Sequence, residues 1–202
     1  MRYYRFYSNM MSYLLIFLIH CCFEKYPVRQ MFFHWLKSLW VSMGSLNREY
    51  KQSMLHAKRC SIFLQLQGIY TELMPLYGTR CDEIQRKEIQ TEFDCCYANP
   101  VMAELVRKLQ DMDKAIIAVS DMYLPQEVIV QLLGNCGFTQ LERVYVSCEY
   151  QVGKADGRLF RIVREQYPKK LIIHIGDNFR SDVIGAKKEK ITGLHYIHKF
   201  EM

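Results

Sequence analysis

Leu171 to Asp182 reads LIIHIGDNFRSD, and this stretch decides how the rest of the chain is read. Leu171, Ile172, Ile173 and Ile175 form an apolar run interrupted only by His174. A run of this kind, ended by a glycine, reads as a strand buried on both faces of a parallel sheet. Gly176 is read as the residue that lets the backbone turn, which leaves Asp177 at the strand's carboxyl end. Asp182 follows near the start of the next helix. Open α/β sheets bind their ligands at that edge. Two carboxylates there, with Asn178 and Ser181 between them, suit a hard cation such as Mg²⁺, which prefers oxygen ligands. The alternative is structural: a strand, a turn and an aspartate cap.

Working outward, residues 99–170 show the same alternation. Asn99-Pro100 opens a predicted helix over Val101–Leu109, with proline near its start. The spacing then predicts a strand over Lys114–Val119, a helix over Leu124–Leu133, a strand over Val144–Ser147 and a helix over Gly157–Tyr167. Beyond Leu171–Ile175 come a helix over Val183–Lys188 and a last strand over Gly193–Ile197. Strands alternating with helices predict an α/β fold with a parallel sheet covered on both faces. Residues 24–98 carry few strand signals and read as a small helical unit. Helical spacing runs through Glu49–Leu66, Gly68 is read as a break, and helices follow over Ile69–Tyr77 and Cys81–Cys96.

Composition narrows the function classes. Half of the 202 residues are hydrophobic, so the chain is globular and can bury one good core with a small insert. The net charge of +6 is spread over short KK, RK and KKEK clusters, which argues against nucleic-acid binding. The eight cysteines form no CxxC and match no zinc spacing, so reduced thiols and a cytoplasmic location are expected. The first 23 residues are basic and then apolar from Met10 to Phe23. That run is short of the roughly 20 apolar residues a spanning helix needs. A core strand beside Leu171–Ile175 is expected there instead, with a membrane anchor as the alternative.

Polar residues recur at the carboxyl ends of the predicted strands. Ser120 follows AIIAV, Lys154 lies in the loop VGKADG, and Asp177 and Asp182 follow LIIHI. One alcohol, one ammonium and two carboxylates at one edge suit phosphate chemistry: Ser120 and Lys154 bind and neutralise phosphoryl oxygens, and the aspartates hold Mg²⁺. Asp121 can face the pocket or cap the next helix, and the cap is the reading adopted for it.

In this order, AVSDMYL, VGKADGRLF and HIGDNFRSD resemble the second, third and fourth motifs of the haloacid dehalogenase-like hydrolases. SDMYL, YVS and HIGDN together are similar to a bacterial subgroup often found near, or fused to, glycosyltransferases. The resemblance covers about residues 47–202. It implies a Rossmann-like core with a helical cap inserted after the first strand, hence residues 1–23 as a degenerate first core strand, 24–98 as the cap and 99–202 as the core. It also implies Mg²⁺-dependent phosphoryl transfer from a small phosphorylated substrate through an aspartyl-phosphate, with Lys154 and Ser120 as catalytic and phosphate-binding residues.

That chemistry needs a first motif, DxDx(T/V), whose first aspartate attacks phosphorus and whose second is the general acid and base. No aspartate precedes Asp82, and the place for the motif reads LIFLIH, Leu15 to His20. Synonymous codons TTG ATA TTT TTG ATA CAT for that hexapeptide, read from the third base, encode Asp-Ile-Phe-Asp-Thr. Continuing through Cys21 and Cys22 gives two leucines. A frameshift in the gene or its assembly accounts for the gap. The alternatives are a divergent or anchoring N-terminus, a decayed or phosphate-sensing protein without turnover, and a membrane-anchored interaction domain.

Overall fold

A computed structural model describes residues 13–18, 23–25 and 65–197 of the protein. Five strands form one parallel sheet: β1 (Tyr13–Leu18), β4 (Ala115–Ser120), β5 (Arg143–Val146), β6 (Leu171–Gly176) and β7 (Thr192–His195), in the order β5-β4-β1-β6-β7. β1 lies at the centre. Leu14 pairs with Ala115 on one side and with Ile172 on the other. Within the apolar N-terminal segment, Tyr13–Leu18 is therefore a sheet strand, as its length and hydropathy predict. Among the described residues no helix is long and apolar enough to cross a membrane.

Alternation within the strands covers both faces. Ile116 and Ala118 in β4, Val144 and Val146 in β5, and Ile173 and Ile175 in β6 enter one core, packed against helices α1 (Leu66–Tyr77), α3 (Pro100–Gln110) and α4 (Gln126–Asn135). Ile117, Val119, Tyr145 and Ile172 enter the other, with Leu159, Phe160 and Val163 of α6 (Arg158–Gln166) and Ala186 of α7 (Gly185–Lys188). Two buried faces explain why LIIHI and AIIAV are near-continuous apolar runs. α3 starts where Asn99-Pro100 predicts: the Asn99 side chain accepts from the N–H groups of Val101 and Met102 at 3.0 and 3.3 Å.

Several local expectations are corrected. Gly68 breaks nothing, since it lies inside α1, as does Pro75. A helix tolerates one glycine at about 1 kcal/mol, and packing of Leu66, Tyr70 and Leu73 in the core outweighs that cost. The segment read as all helical also contains strands: β2 (Phe23–Lys25) pairs antiparallel with β3 (Cys96–Ala98). Three-residue strands stabilised by pairing leave no periodicity to read. This ribbon brings Phe23–Lys25 beside Cys96–Ala98, which directly follow α2 (Arg80–Cys95). Ser147 does not end β5 but opens a single helical turn, α5 (Ser147–Tyr150). The helix predicted over Val183–Lys188 begins earlier, as a wide turn of π type over Phe179–Ile184 that runs into α7. Most of the helix predicted over Glu49–Leu66 lies outside the described residues, as does His20.

Candidate active site

The order of the sheet sets the site. The chain adds β4 and β5 on one side of β1, then crosses over to place β6 and β7 on the other. Connections that leave β1 and its neighbours in opposite directions open a crevice at the strands' carboxyl ends. Ser120 ends β4 and Asp177 follows β6, so both flank the end of β1. Ser120 is fully buried, and its hydroxyl has no hydrogen-bond partner among the described residues. Buried hydroxyls are otherwise nearly always satisfied, so this one suits an oxygen supplied from elsewhere, such as that of an anion.

Lys154 enters from the loop between α5 and α6. Its ammonium is buried and lies 2.6 Å from Asp182 Oδ1. The loop backbone is held at several points. Lys154 N–H donates to both Asp121 oxygens, at 3.0 and 3.2 Å, and its carbonyl accepts from Gly157 N–H at 2.9 Å. The same carbonyl lies so close to Gly185 that a Cβ there would collide with it. Asp121 thus fastens the lysine loop to the end of β4. It is not the cap of the next helix: α4 begins at Gln126 after Pro125 and has no side-chain cap. Burial raises the Asp121 pKa, against the opposing pull of Lys154.

Asp182 is the most constrained residue of the group. It is fully buried, and three donors converge on its two oxygens. Lys154 Nζ and His174 Nε2 lie 2.6 and 3.2 Å from Oδ1, and Asn178 N–H lies 2.9 Å from Oδ2. The wide turn makes this possible. The Asn178 side chain accepts from Arg180 and Ser181 N–H, both at 3.1 Å, and the extra residue in the turn swings Asp182 back over the strand. Gly176 is needed for this approach and not for the backbone turn predicted of it. Its φ is not positive, and a Cβ on it would overlap the Asp182 carboxyl group.

Burial pushes the His174 pKa down to about 4, against the pull of Asp182, so the ring is neutral at pH 7. A neutral ring that donates from Nε2 leaves Nδ1 as a bare acceptor, and Nδ1 has no partner among the described residues. Burial alone would raise the Asp182 pKa. The His174 hydrogen bond and the Lys154 ammonium outweigh it and hold the carboxyl well below the usual carboxylate range. With the imidazole uncharged, the charge that does this at neutral pH is that of Lys154. His174 was legible only as a break in an apolar run. A lone histidine eight residues before an aspartate is a weak signal, and only the turn brings the two together.

The two aspartates predicted to hold Mg²⁺ are placed differently. Asp177 is a half-buried carboxylate at the strand edge, and its carbonyl accepts from His195 Nε2 at 2.9 Å. Asp182 faces inward with both oxygens taken by N–H donors. Among the described residues no group of three or more His, Cys, Asp or Glu side chains could hold a metal ion. One edge carboxylate is less than a resident Mg²⁺ site usually needs unless a phosphate adds its own oxygens, so the described residues do not by themselves fit the ion.

A profile of the haloacid dehalogenase-like hydrolases matches residues 30–188, most of the chain. No curated protein sequence matches it. Similar solved structures include a 2-haloacid dehalogenase from Pseudomonas syringae pv. Tomato DC3000, with 13% identity, a TM-score of 0.65 and coverage of 92% of this chain and 86% of that one. A haloacid dehalogenase-like family hydrolase from Xanthomonas campestris gives 15% identity, a TM-score of 0.65 and coverage of 93% and 82%. A HAD family enzyme from Bacteroides thetaiotaomicron, as a variant in complex with magnesium and inorganic phosphate, gives 13% identity, a TM-score of 0.62 and coverage of 93% and 95%. At these identities the likeness carries the fold, and the matched profile carries the family. The profile match over residues 30–188, on a chain built around this parallel sheet, shows the family: the chain belongs to the haloacid dehalogenase-like hydrolase family.

Proposed function

We propose that this chain is a phosphohydrolase of that family which retains the phosphate-binding half of its site and lacks the nucleophile. One observation carries the reading. Ser120 ends β4 and Asp177 follows β6, on either side of β1, the Lys154 ammonium is paired with Asp182 beyond β6, and β1 itself reads YLLIFL. Ser120 and the Lys154 ammonium would orient a phosphoryl group and screen its charge, and Asp182 would hold the lysine in place. No carboxylate of β1 is available to attack phosphorus, and removing a nucleophile costs several orders of magnitude in rate. Mg²⁺, which the similar Bacteroides enzyme holds with inorganic phosphate, would add Lewis-acid screening of the phosphate. In this chain Asp177 would hold it only weakly, and together with phosphate oxygens. The substrate class is a small phosphorylated molecule. Association with a glycosyltransferase is proposed from SDMYL, YVS and HIGDN alone.

The register bears on the frameshift. Leu15 pairs with Ile116 and Ile173, in the middle of the sheet, and the carboxyl edge is reached only at Leu18, opposite Val119. An aspartate placed at Leu15 in this register would sit mid-strand, short of the carboxyl edge. A frame-corrected chain would therefore have to slide β1 from the level of Leu15 to that of Leu18 to bring its first aspartate to the edge.

The test uses an aryl phosphate with Mg²⁺. The chain as it stands should show almost no turnover. A chain carrying Asp-Ile-Phe-Asp-Thr in place of Leu15–His20 in the shifted frame should gain turnover that disappears on Asp177→Asn. Equal rates before and after the repair would overturn the lost-nucleophile reading. A non-catalytic phosphate-binding protein is the second reading, favoured by the Ser120 hydroxyl, which has no hydrogen-bond partner among the described residues. It requires phosphate binding without any gain on repair.

A further inference from the structure

Away from the site, one carboxylate is shared between two tyrosines. Glu88 of α2 accepts from Tyr70 of α1 through Oε2 at 2.6 Å and from Tyr123 through Oε1 at 2.8 Å. Tyr123 lies in the loop from β4 to α4, three residues after Ser120. No lysine or arginine pairs with Glu88 among the described residues, so two hydroxyls do the work a cation would ordinarily do. Both must stay protonated, and burial followed by the Glu88 charge raises both pKa values strongly. The backbone adds a second link of the same direction: Leu66 N–H, at the start of α1, donates to the Tyr123 carbonyl at 2.9 Å.

The loop between Ser120 and Leu124 is thus held from two sides. The sheet side holds Asp121 through Lys154 N–H, and Met122 N–H through Ser147 Oγ at 3.0 Å. The inserted helices hold Tyr123, at its hydroxyl and its carbonyl. We propose that Glu88 is a positioning residue: through Tyr123 it lets α1 and α2 fix the loop that directly follows Ser120. The inference rests on the phosphate-binding reading above for its functional sense, and on the hydrogen bonds alone for its structural one. A charge-assisted hydrogen bond is the strong kind and is short here. Because Tyr70 and Tyr123 bind separate oxygens, either bond can be removed without removing the other.

The experiment is amide hydrogen exchange and calorimetry with inorganic phosphate on the full chain, for wild type, Tyr123→Phe, Tyr70→Phe and Glu88→Ala. Tyr123→Phe should speed exchange at Met122, Tyr123 and Leu124 and weaken phosphate binding roughly tenfold, the worth of one hydrogen bond to a charged group. Tyr70→Phe removes an equally short bond from the same carboxylate. It should loosen α1 against α2 and change phosphate affinity less than about twofold. Glu88→Ala should reproduce both sets of changes. Equal effects of the two tyrosine substitutions on loop and affinity would reduce the network to general stability and overturn the proposal. Unchanged loop exchange in Tyr123→Phe would overturn it as well. If wild type takes up no phosphate, the phosphate-binding reading fails, while the exchange data still decide whether Glu88 positions the loop.

Discussion

Burying Lys154 with Asp182 strips both charges of water, and that cost is offset only while every partner is in place. Asp182→Asn would leave the ammonium buried without its counter-charge. We expect it to lower stability by about 3–5 kcal/mol, read as a shift of the urea midpoint. His174 gives the site its pH dependence. Its pKa falls from 6.5 to about 4 on folding, so between those values the unfolded chain binds more protons than the folded one. Stability from this residue is fully present above pH 6.5 and is lost as pH falls toward 4. The loss is on the order of 3 kcal/mol. Asp182, held far below the usual range, stays ionised through that window. Urea unfolding at several pH values should show wild type losing this extra stability and His174→Gln failing to lose it.

At the scale of elements, the wide turn after β6 and the strand beneath it are built for one contact. Gly176→Ala puts a methyl group where the Asp182 carboxyl group lies. Overpacking of this kind costs about 1–3 kcal/mol, and here it also pushes Asp182 off Lys154. Gly134, inside α4, has nothing within 4 Å of where a Cβ would sit and no positive φ. Gly134→Ala should therefore stabilise the protein, by up to about 1 kcal/mol. Thermal melts of the two variants should move in opposite directions. The helices and strands after residue 98 were legible because two-sided burial and the Asn99-Pro100 signal are written in local sequence. The π-type turn was not, since its form depends on where Asp182 must reach.

For the whole molecule, the central place of β1 matters most. The strand is hydrogen-bonded on both edges, to β4 and to β6. A proline within it removes a ladder donor and is tolerated in sheets only at edges or bulges. Ile16→Pro should abolish cooperative unfolding of the entire sheet, seen as loss of the far-UV circular dichroism transition. An N-terminus that served only as an anchor would leave the transition intact. Of the polar groups of the site, His174 alone lies within a strand, and the rest lie at a strand end or in the segments that follow.

Local sequence by itself determined the alternation of strands and helices, the parallel sheet, and the presence of an alcohol, a lysine and two aspartates in the segments that end or follow its strands. Each of these follows from burial periodicity and from turn residues, which act over a few positions along the chain. Tertiary structure alone decided what those residues do together. It turned Asp182 inward onto Lys154 and His174, gave Asp121 to the lysine backbone instead of a helix cap, and joined Glu88 to Tyr123 across thirty-five positions of sequence. The physical reason is that a carboxylate takes whichever donors the packed elements bring within about 3 Å, and packing between elements distant in sequence leaves no period to read.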